Sequence, residues 1–293
     1  MDQFVAGVIG GIQQGTLCGL LGFAIVFLFK CTGVANFAQG SLSTFTTFLL
    51  FELYARNGVS YLWAIVLAVV SAALVGGALY LVTMLPNERA GHLNRTVRTI
   101  GLQLLTVAVI SWLWGTGQPF TFKPLIPTTP AFTIGLQTIS WTTVGSIGIA
   151  FTLSALCVAF FRYSSTGLAL VALSERPDIA RLLGVNTRRL SALAWAVVTV
   201  IGLIAGVLVA PGQLLSTSMM DSYLLLSFTA AIIGGLTSLY GVFVAAVPIG
   251  VINGLVDLYG SDDIAILVIF LLVLAVLLVR PQGMFGRHIQ ERL

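Results

Sequence analysis

Long stretches without a charged residue dominate this chain of 293 residues. A helix needs about 20 predominantly apolar residues to cross the hydrocarbon core of a bilayer. Most of the charge-free stretches can hold one such helix, and 222–256 is long enough for two. The stretches are 3–29, 31–51, 57–87, 99–122, 124–161, 190–220, 222–256 and 264–279.

The composition excludes a soluble or a disordered chain. Only 8% of the residues are charged and 58% are hydrophobic, whereas a soluble domain carries about 25% charged residues. So few charges cannot cover the surface of a soluble fold, and so apolar a chain does not stay disordered. We therefore predict an all-α, polytopic integral membrane bundle that forms a single domain over residues 1–293.

The stretches divide into nine predicted spans, including one short or broken polar element. Prolines at the start of 124–161 predict an irregular loop there, and the segment Gly234–Gly241 predicts a turn that divides 222–256. The element 34–54 is polar in its first half, so it is either a helix that enters only part of the way or one broken near Gly40. The predicted spans are about 8–29, 34–54, 61–85, 99–115, 141–161, 190–210, 223–238, 242–258 and 264–279.

The positions of the basic residues predict the topology. With nine spans and a cytoplasmic C-terminus, twelve Lys and Arg residues lie inside and only Arg56 and Lys123 lie outside. Such an excess is what the positive-inside rule requires. We predict a multi-pass membrane protein with its N-terminus outside and its C-terminus in the cytoplasm. The inner residues are Lys30, Arg89, Arg95, Arg98, Arg162, Arg176, Arg181, Arg188, Arg189, Arg280, Arg287 and Arg292.

Motifs for catalysis and nucleotide binding are absent from the sequence. A P-loop needs a lysine that follows glycine, but Lys30 and Lys123 are the only lysines and each follows phenylalanine. No cluster of Cys and His has the spacing of a zinc site. The formal net charge of +4 does not indicate nucleic-acid binding. The chain is expected to be no enzyme and to hold no catalytic residue, metal or cofactor.

The longest predicted cytoplasmic loop, 162–189, contains an amphipathic segment. Ser174 suits the N-cap of a short helix and Gly184 suits its C-terminal end. Ile179, Leu182 and Leu183 share one face at this spacing. An exposed apolar stripe on a cytoplasmic helix either rests on membrane lipid or inserts into a partner protein.

Several polar residues fall inside predicted spans. Unpaired polar groups in hydrocarbon cost several kcal/mol, so these side chains should face the bundle interior or a water path. The alternative is hydrogen bonding between helices, worth about 0.6–2 kcal/mol each. Their concentration in the 34–54 element favours a cavity. The residues are Asn36, Gln39, Ser41 and Thr44 in that element, with Gln14, Gln103 and Asn253 in other spans.

Four segments, in order along the chain, resemble a known family. The chain is similar to the transmembrane permease subunits of the high-affinity branched-chain amino acid ABC importers. One difference is Gln39-Gly40-Ser41, where the family usually has His-Gly-Glu or similar. The four segments are 32–40, 181–186, 233–241 and 278–286.

The resemblance implies a multi-pass location in the bacterial plasma (inner) membrane, a set of partners and a translocation function. The partners would be a second permease subunit, identical or homologous, two ATP-binding cassette ATPase subunits and an external solute-binding protein. The loop helix would dock into an ATPase, through Ile179, Leu182 and Leu183, with Glu175, Arg181 and Gly184 keeping it in register. The seven polar residues above would line the path.

The sequence is compatible with several solutes and with two other classes of protein. Related permeases handle branched-chain amino acids, other amino acids, urea or short amides, and aromatic acids. A secondary transporter or channel that works alone would need ion-coupling carboxylates in the membrane, and only Asp257 is a candidate. An intramembrane enzyme or scaffold would need a reactive constellation that the sequence does not contain.

Overall fold

A computed structural model describes residues 2–87, 91–115, 117, 119–134, 137–175, 186–260, 262–280 and 282–286. Most of this part of the chain is helical. The α-helices are α1 (Asp2–Thr32), α2 (Gln39–Phe51), α3 (Tyr61–Leu79), α4 (His92–Trp114), α5 (Trp141–Tyr163), α6 (Ser165–Glu175), α7 (Thr187–Gln213), α8 (Asp221–Gly234), α9 (Leu239–Tyr259) and α10 (Asp262–Val279). Short π-helical turns, Glu52–Arg56 and Tyr80–Met84, continue α2 and α3.

Six helices in the described ranges are long and apolar enough to cross a membrane. Each of the nine predicted spans overlaps a helix, because an apolar segment in lipid must satisfy its backbone hydrogen bonds internally, and a helix does so. Two apolar helical segments, Asp221–Gly234 and Leu267–Val279, are shorter. The six long segments are Gln3–Thr32, Tyr61–Met84, Leu93–Trp114, Trp141–Tyr163, Thr187–Gln213 and Leu239–Tyr259.

The polar element predicted at 34–54 has a different boundary in the structure. Gly33 has a φ of +66° just after α1 ends, and α2 then begins at Gln39 and continues through Gly40. Of the two alternatives for this element, a break is found, but it precedes Gln39 instead of falling at Gly40. The carboxamide oxygen of Asn36 accepts a hydrogen bond from the backbone N–H of Ala38 at 3.2 Å, which stabilises the non-helical segment before α2.

The loop predicted after residue 124 contains a β-hairpin, so the fold is mostly helical rather than all-α. Strand β1 (Pro130–Ile134) pairs antiparallel with β2 (Gln137–Ser140). Proline starts β1, where it disfavours helix. β-branched and aromatic residues favour strands, and Phe132 pairs with Ile139.

The chain forms two compact units. Unit 1 comprises 1–26, 126–154 and 223–293, and unit 2 comprises 27–125 and 155–222. In unit 1, α1 and α9 pack with their backbones in contact. A Cβ on Gly11 of α1 would lie 2.6 Å from the carbonyl oxygen of Gly250 on α9. Small residues at such a contact allow the close approach.

In unit 2, α7 packs closely on α2 and α3. A Cβ on Gly202 of α7 would lie 2.6 Å from the hydroxyl oxygen of Ser43 on α2, and one on Gly206 would lie 3.0 Å from the carbonyl oxygen of Ser43. A Cβ on Gly76 of α3 would lie 2.5 Å from the carbonyl oxygen of Trp195 on α7. These three glycines therefore set the distances between the helices.

Residues 282–286 of unit 1 bind the turn between α8 and α9. The backbone N–H of Met284 donates to the carbonyl oxygen of Ile233 at 2.7 Å, and that of Phe285 donates to Gly234 at 3.2 Å. Gly235, directly after α8, has a φ of +96°. Because α9 begins only at Leu239, the turn predicted between Gly234 and Gly241 is confirmed. We call this contact between 282–286 and 233–238 the C-terminal clasp.

Candidate functional site

The beginning of the predicted docking segment is described, and it differs from the prediction. Ser174 lies in the last turn of α6, which runs to Glu175, so the predicted N-cap at Ser174 is wrong. Gly167 allows α6 to follow α5 closely, since a Cβ there would lie 2.8 Å from the Cα of Phe161. Ile179, Arg181, Leu182, Leu183 and Gly184 lie outside the described residues.

Asn36 and Gln39 form a buried hydrogen-bonded pair in unit 2. The amide of Asn36 donates to the carboxamide oxygen of Gln39 at 3.0 Å, and the amide of Gln39 donates to the carbonyl oxygen of Val198 on α7 at 2.8 Å. Both side chains are fully buried. The structure therefore brings together two of the predicted path residues and connects the start of α2 to α7.

Ser41 and Thr44 are also buried on α2. The hydroxyl of Ser41 donates to the carbonyl oxygen of Ala38 at 3.1 Å, and that of Thr44 donates to Gly40 at 3.2 Å. Each hydroxyl keeps lone pairs that can accept a further hydrogen bond. The site thus offers hydrogen-bonding groups and no formal charge.

Two neighbours of this site were not selected from the sequence. Ser43 and Thr47 face the glycines of α7, and each hydroxyl bonds to a backbone oxygen one turn earlier, at 2.8 Å. The signal was present, because Ser43 and Thr47 have the same spacing of four residues as Gly202 and Gly206. Residues at this spacing share one helix face.

Thr99 of α4 is a third residue that the sequence did not single out. Its hydroxyl accepts from the backbone N–H of Phe37 and lies 3.1 Å from the carbonyl oxygen of Ala35. Nearby, the guanidinium of Arg95 donates to the carbonyl oxygen of Thr32 at the end of α1. The start of α4 therefore holds the non-helical segment that leads into α2.

The remaining predicted path residues are divided between the two units. In unit 1 the amide of Asn253 donates to Gln14 at 3.0 Å and to the carboxylate of Asp257 at 2.8 Å. In unit 2, Gln103 on α4 is half-buried, and its side chain has no hydrogen bond to a described residue. Within the described ranges, no group of three or more His, Cys, Asp or Glu is arranged to hold a metal ion.

We expect Gln39→Leu to destabilise the protein and Gln103→Leu to have little effect. The first substitution removes the hydrogen bond to Val198 and leaves the buried amide of Asn36 without its acceptor, and a buried unsatisfied group costs about 1–3 kcal/mol. The second removes no hydrogen bond to a described residue. Thermal unfolding of the two purified variants in detergent measures the difference, and equal unfolding temperatures would contradict a stabilising role for the Gln39 network.

The comparison with a protein family decides the class of the chain. A family described as "branched-chain amino acid transport system / permease component" matches residues 7–277. The chain belongs to this permease family. It is a multi-pass transport protein of the plasma membrane, in agreement with its long apolar helices.

Relatives along nearly the whole length agree with this assignment. The high-affinity branched-chain amino acid transport system permease protein LivH of Salmonella typhimurium is 25% identical over 99% of this chain and 97% of its own length. The corresponding protein BraD of Pseudomonas aeruginosa is 22% identical, over 99% of this permease and 98% of its own.

A solved structure shows the same fold. It is titled "PsaBC from Streptococcus pneumoniae in complex with Fab", and it superposes with a TM-score of 0.51 at 13% identity, over 96% of each chain. At this identity the similarity concerns the fold alone.

Proposed function

We propose that the permease is the membrane-spanning subunit of an ATP-driven ABC importer for small zwitterionic solutes, with branched-chain amino acids as the first choice. The observation that carries the proposal is the family match over residues 7–277. LivH and BraD, which are similar over 99% of the chain, are named for branched-chain amino acid transport.

The polar residues around the start of α2 are proposed to line the translocation path. Asn36, Gln39, Ser41 and Thr44 are uncharged and buried, so they would hold a zwitterion by hydrogen bonds. No side chain caps α2 at Ala38, and the positive end of a helix dipole favours a carboxylate. Gln14, Gln103 and Asn253 are proposed to contribute farther along the path.

We further propose nine spans, with the N-terminus outside and the C-terminus in the cytoplasm. The excess of basic residues in the inner loops carries the orientation, and two contacts agree with the alternation of sides. The C-terminal clasp joins 282–286 to the α8–α9 turn, and both segments are cytoplasmic in this topology. In unit 2, Lys123 contacts both Tyr54 and Tyr61; in this topology Lys123 is external, and the two tyrosines are at the external ends of their spans.

The proposed partners supply what the chain lacks. Since the sequence contains no P-loop, ATP would be bound and hydrolysed by two ATPase subunits. A second permease subunit, identical or homologous, would complete the membrane part, and an external binding protein would deliver the solute. The 162–189 loop would contact an ATPase through residues 179–184.

Co-purification and uptake test this function together. We expect the tagged permease, extracted from its native membrane, to bring down a P-loop ATPase in stoichiometric amount. Vesicles containing the complex and its binding protein should take up radiolabelled leucine only with ATP. Competition by urea or benzoate would instead indicate a permease for short amides or aromatic acids. Transport by the purified chain without an ATPase would contradict the proposal and favour a secondary transporter or channel.

A further inference from the structure

An open recess lies at the end of unit 2 where α2 meets the segment 120–123. Its volume is about 440 Å³, and its lining is mainly aromatic. The rings of Phe51 and Phe120 are 5.1 Å apart, and those of Tyr54 and Phe122 are 5.6 Å apart, edge to face. The lining consists of Phe51, Tyr54, Ala55, Phe120, Thr121, Phe122 and Lys123. We call this space the aromatic recess.

Two tyrosine hydroxyls fix the backbone of Lys123 at the recess. The backbone N–H of Lys123 donates to the hydroxyl oxygen of Tyr54 at 3.1 Å, and the hydroxyl of Tyr61 donates to its carbonyl oxygen at 3.0 Å. The two tyrosine rings contact each other edge to face, with centroids 5.3 Å apart. The position from which the Lys123 side chain extends is therefore rigid.

The charge at the aromatic recess is positive. Arg56 forms an ion pair with Glu52 at 3.3 Å, and the Glu52 carboxylate also accepts from the indole N–H of Trp114. The ammonium of Lys123 lies 5.2 Å from the centroid of the Tyr61 ring. Among the described residues, no carboxylate lies within 4.0 Å of this ammonium. The charges of Glu52 and Arg56 cancel, so Lys123 gives the recess one net positive charge.

We propose that the aromatic recess binds a small monocarboxylate that carries an apolar or aromatic group. The rings of the lining would take up the apolar part, and Lys123 would pair with the carboxylate. Apolar walls with few charged groups are typical of small-molecule sites. Aromatic residues and lysine also anchor proteins at the membrane interface, but anchoring requires neither a concave space nor a fixed lysine backbone. The site goes beyond the proposed function and does not depend on it.

Equilibrium dialysis with radiolabelled phenylacetate tests the site. We expect the permease in phosphatidylcholine nanodiscs to bind phenylacetate saturably. Phenylacetamide has the same shape without the charge, and we expect it to bind about three- to tenfold more weakly. This is the range expected for a partly exposed ion pair. Absence of saturable phenylacetate binding would overturn the proposal.

Matched lysine variants assign the binding to the recess. Lys123→Gln should weaken phenylacetate binding by about three- to tenfold, and Lys123→Arg should preserve it. Lys30→Gln removes the only other lysine, which is in the last turn of α1 and does not line the recess, and should leave the affinity unchanged. Equal affinities of Lys123→Gln and the unchanged protein would contradict the assignment.

The lipid composition separates the two sources of such an anion. A phosphatidylglycerol headgroup is also an anion attached to apolar chains. If nanodiscs that contain phosphatidylglycerol abolish phenylacetate binding, the recess is a lipid site and the proposal is wrong. We expect the affinity for phenylacetate to remain within about twofold between the two lipid compositions after correction for surface potential.

Discussion

Replacing Gly11 with alanine is expected to separate α1 from α9 and to destabilise the permease by at least about 2 kcal/mol, toward the upper part of the range for overpacked sites. The new Cβ would lie 2.6 Å from both the carbonyl oxygen of Gly250 and the Cα of Val251. Both are backbone atoms, so no rotamer change relieves the clash. Thermal unfolding in detergent, monitored as the loss of monodisperse protein, measures the effect.

The neighbouring glycine provides the control for this experiment. A Cβ on Gly10 would meet nothing within 4 Å, so Gly10→Ala changes the same helix without a clash and should leave stability unchanged or slightly increased. The same contrast recurs in unit 2, where a Cβ on Gly76 would meet Trp195 of α7 and a Cβ on Gly77 would meet nothing within 4 Å. Equal stabilities of Gly10→Ala and Gly11→Ala would contradict the close packing of α1 on α9.

Aspartate at both Leu182 and Leu183 is expected to abolish ATPase co-purification and solute uptake. This prediction rests on the sequence pattern of the 162–189 loop. Burying a leucine side chain is worth about 1.5–3 kcal/mol, and a buried unpaired carboxylate adds a further cost. The two losses together reduce the affinity by more than about 100-fold. Quantitative pull-down from membranes, with the permease level measured in the same sample, tests it.

Leu93 offers the matched control for the loop variant. It lies in the first turn of α4, it is 80% exposed, and the proposed topology places it on the same side of the membrane as the loop. An aspartate is favourable in the first turn of a helix, so Leu93→Asp should insert and co-purify normally. Normal co-purification of the Leu182→Asp, Leu183→Asp double variant would eliminate the docking role of this segment.

The sequence predicts the helices well because their signal is local. Apolar runs without charge and the Gly234–Gly241 turn determine their own structure over a few residues. The start of α2 at Gln39 and the β-hairpin at 130–140 were not predicted. The start of α2 depends on contacts with distant residues, such as the hydrogen bond from the backbone N–H of Phe37 to the hydroxyl of Thr99, and the hairpin depends on pairing between two short strands. The periodicity of the apolar residues carries no information about either.

The candidate site was likewise predicted only in part. The polar character of 34–54 pointed to Asn36 and Gln39, and the structure buries both of them. The partner of Gln39 is the backbone oxygen of Val198. A backbone group is common to all residues, so the identity of residue 198 could not have revealed it. By contrast, the packing of Gly202 against Ser43 follows from a residue pattern that a comparison of α2 with α7 could have found.

The C-terminal clasp has a consequence for biosynthesis. The carbonyl oxygens of Ile233 and Gly234 receive their partners from Met284 and Phe285, which the ribosome adds some fifty residues later. The α8–α9 hairpin is therefore synthesised before the residues that bind its turn, and these two hydrogen bonds can form only after Met284 and Phe285 have been added. If translation stopped before residue 284, the hairpin would lack these two hydrogen bonds, and its turn would be accessible to membrane quality-control proteases.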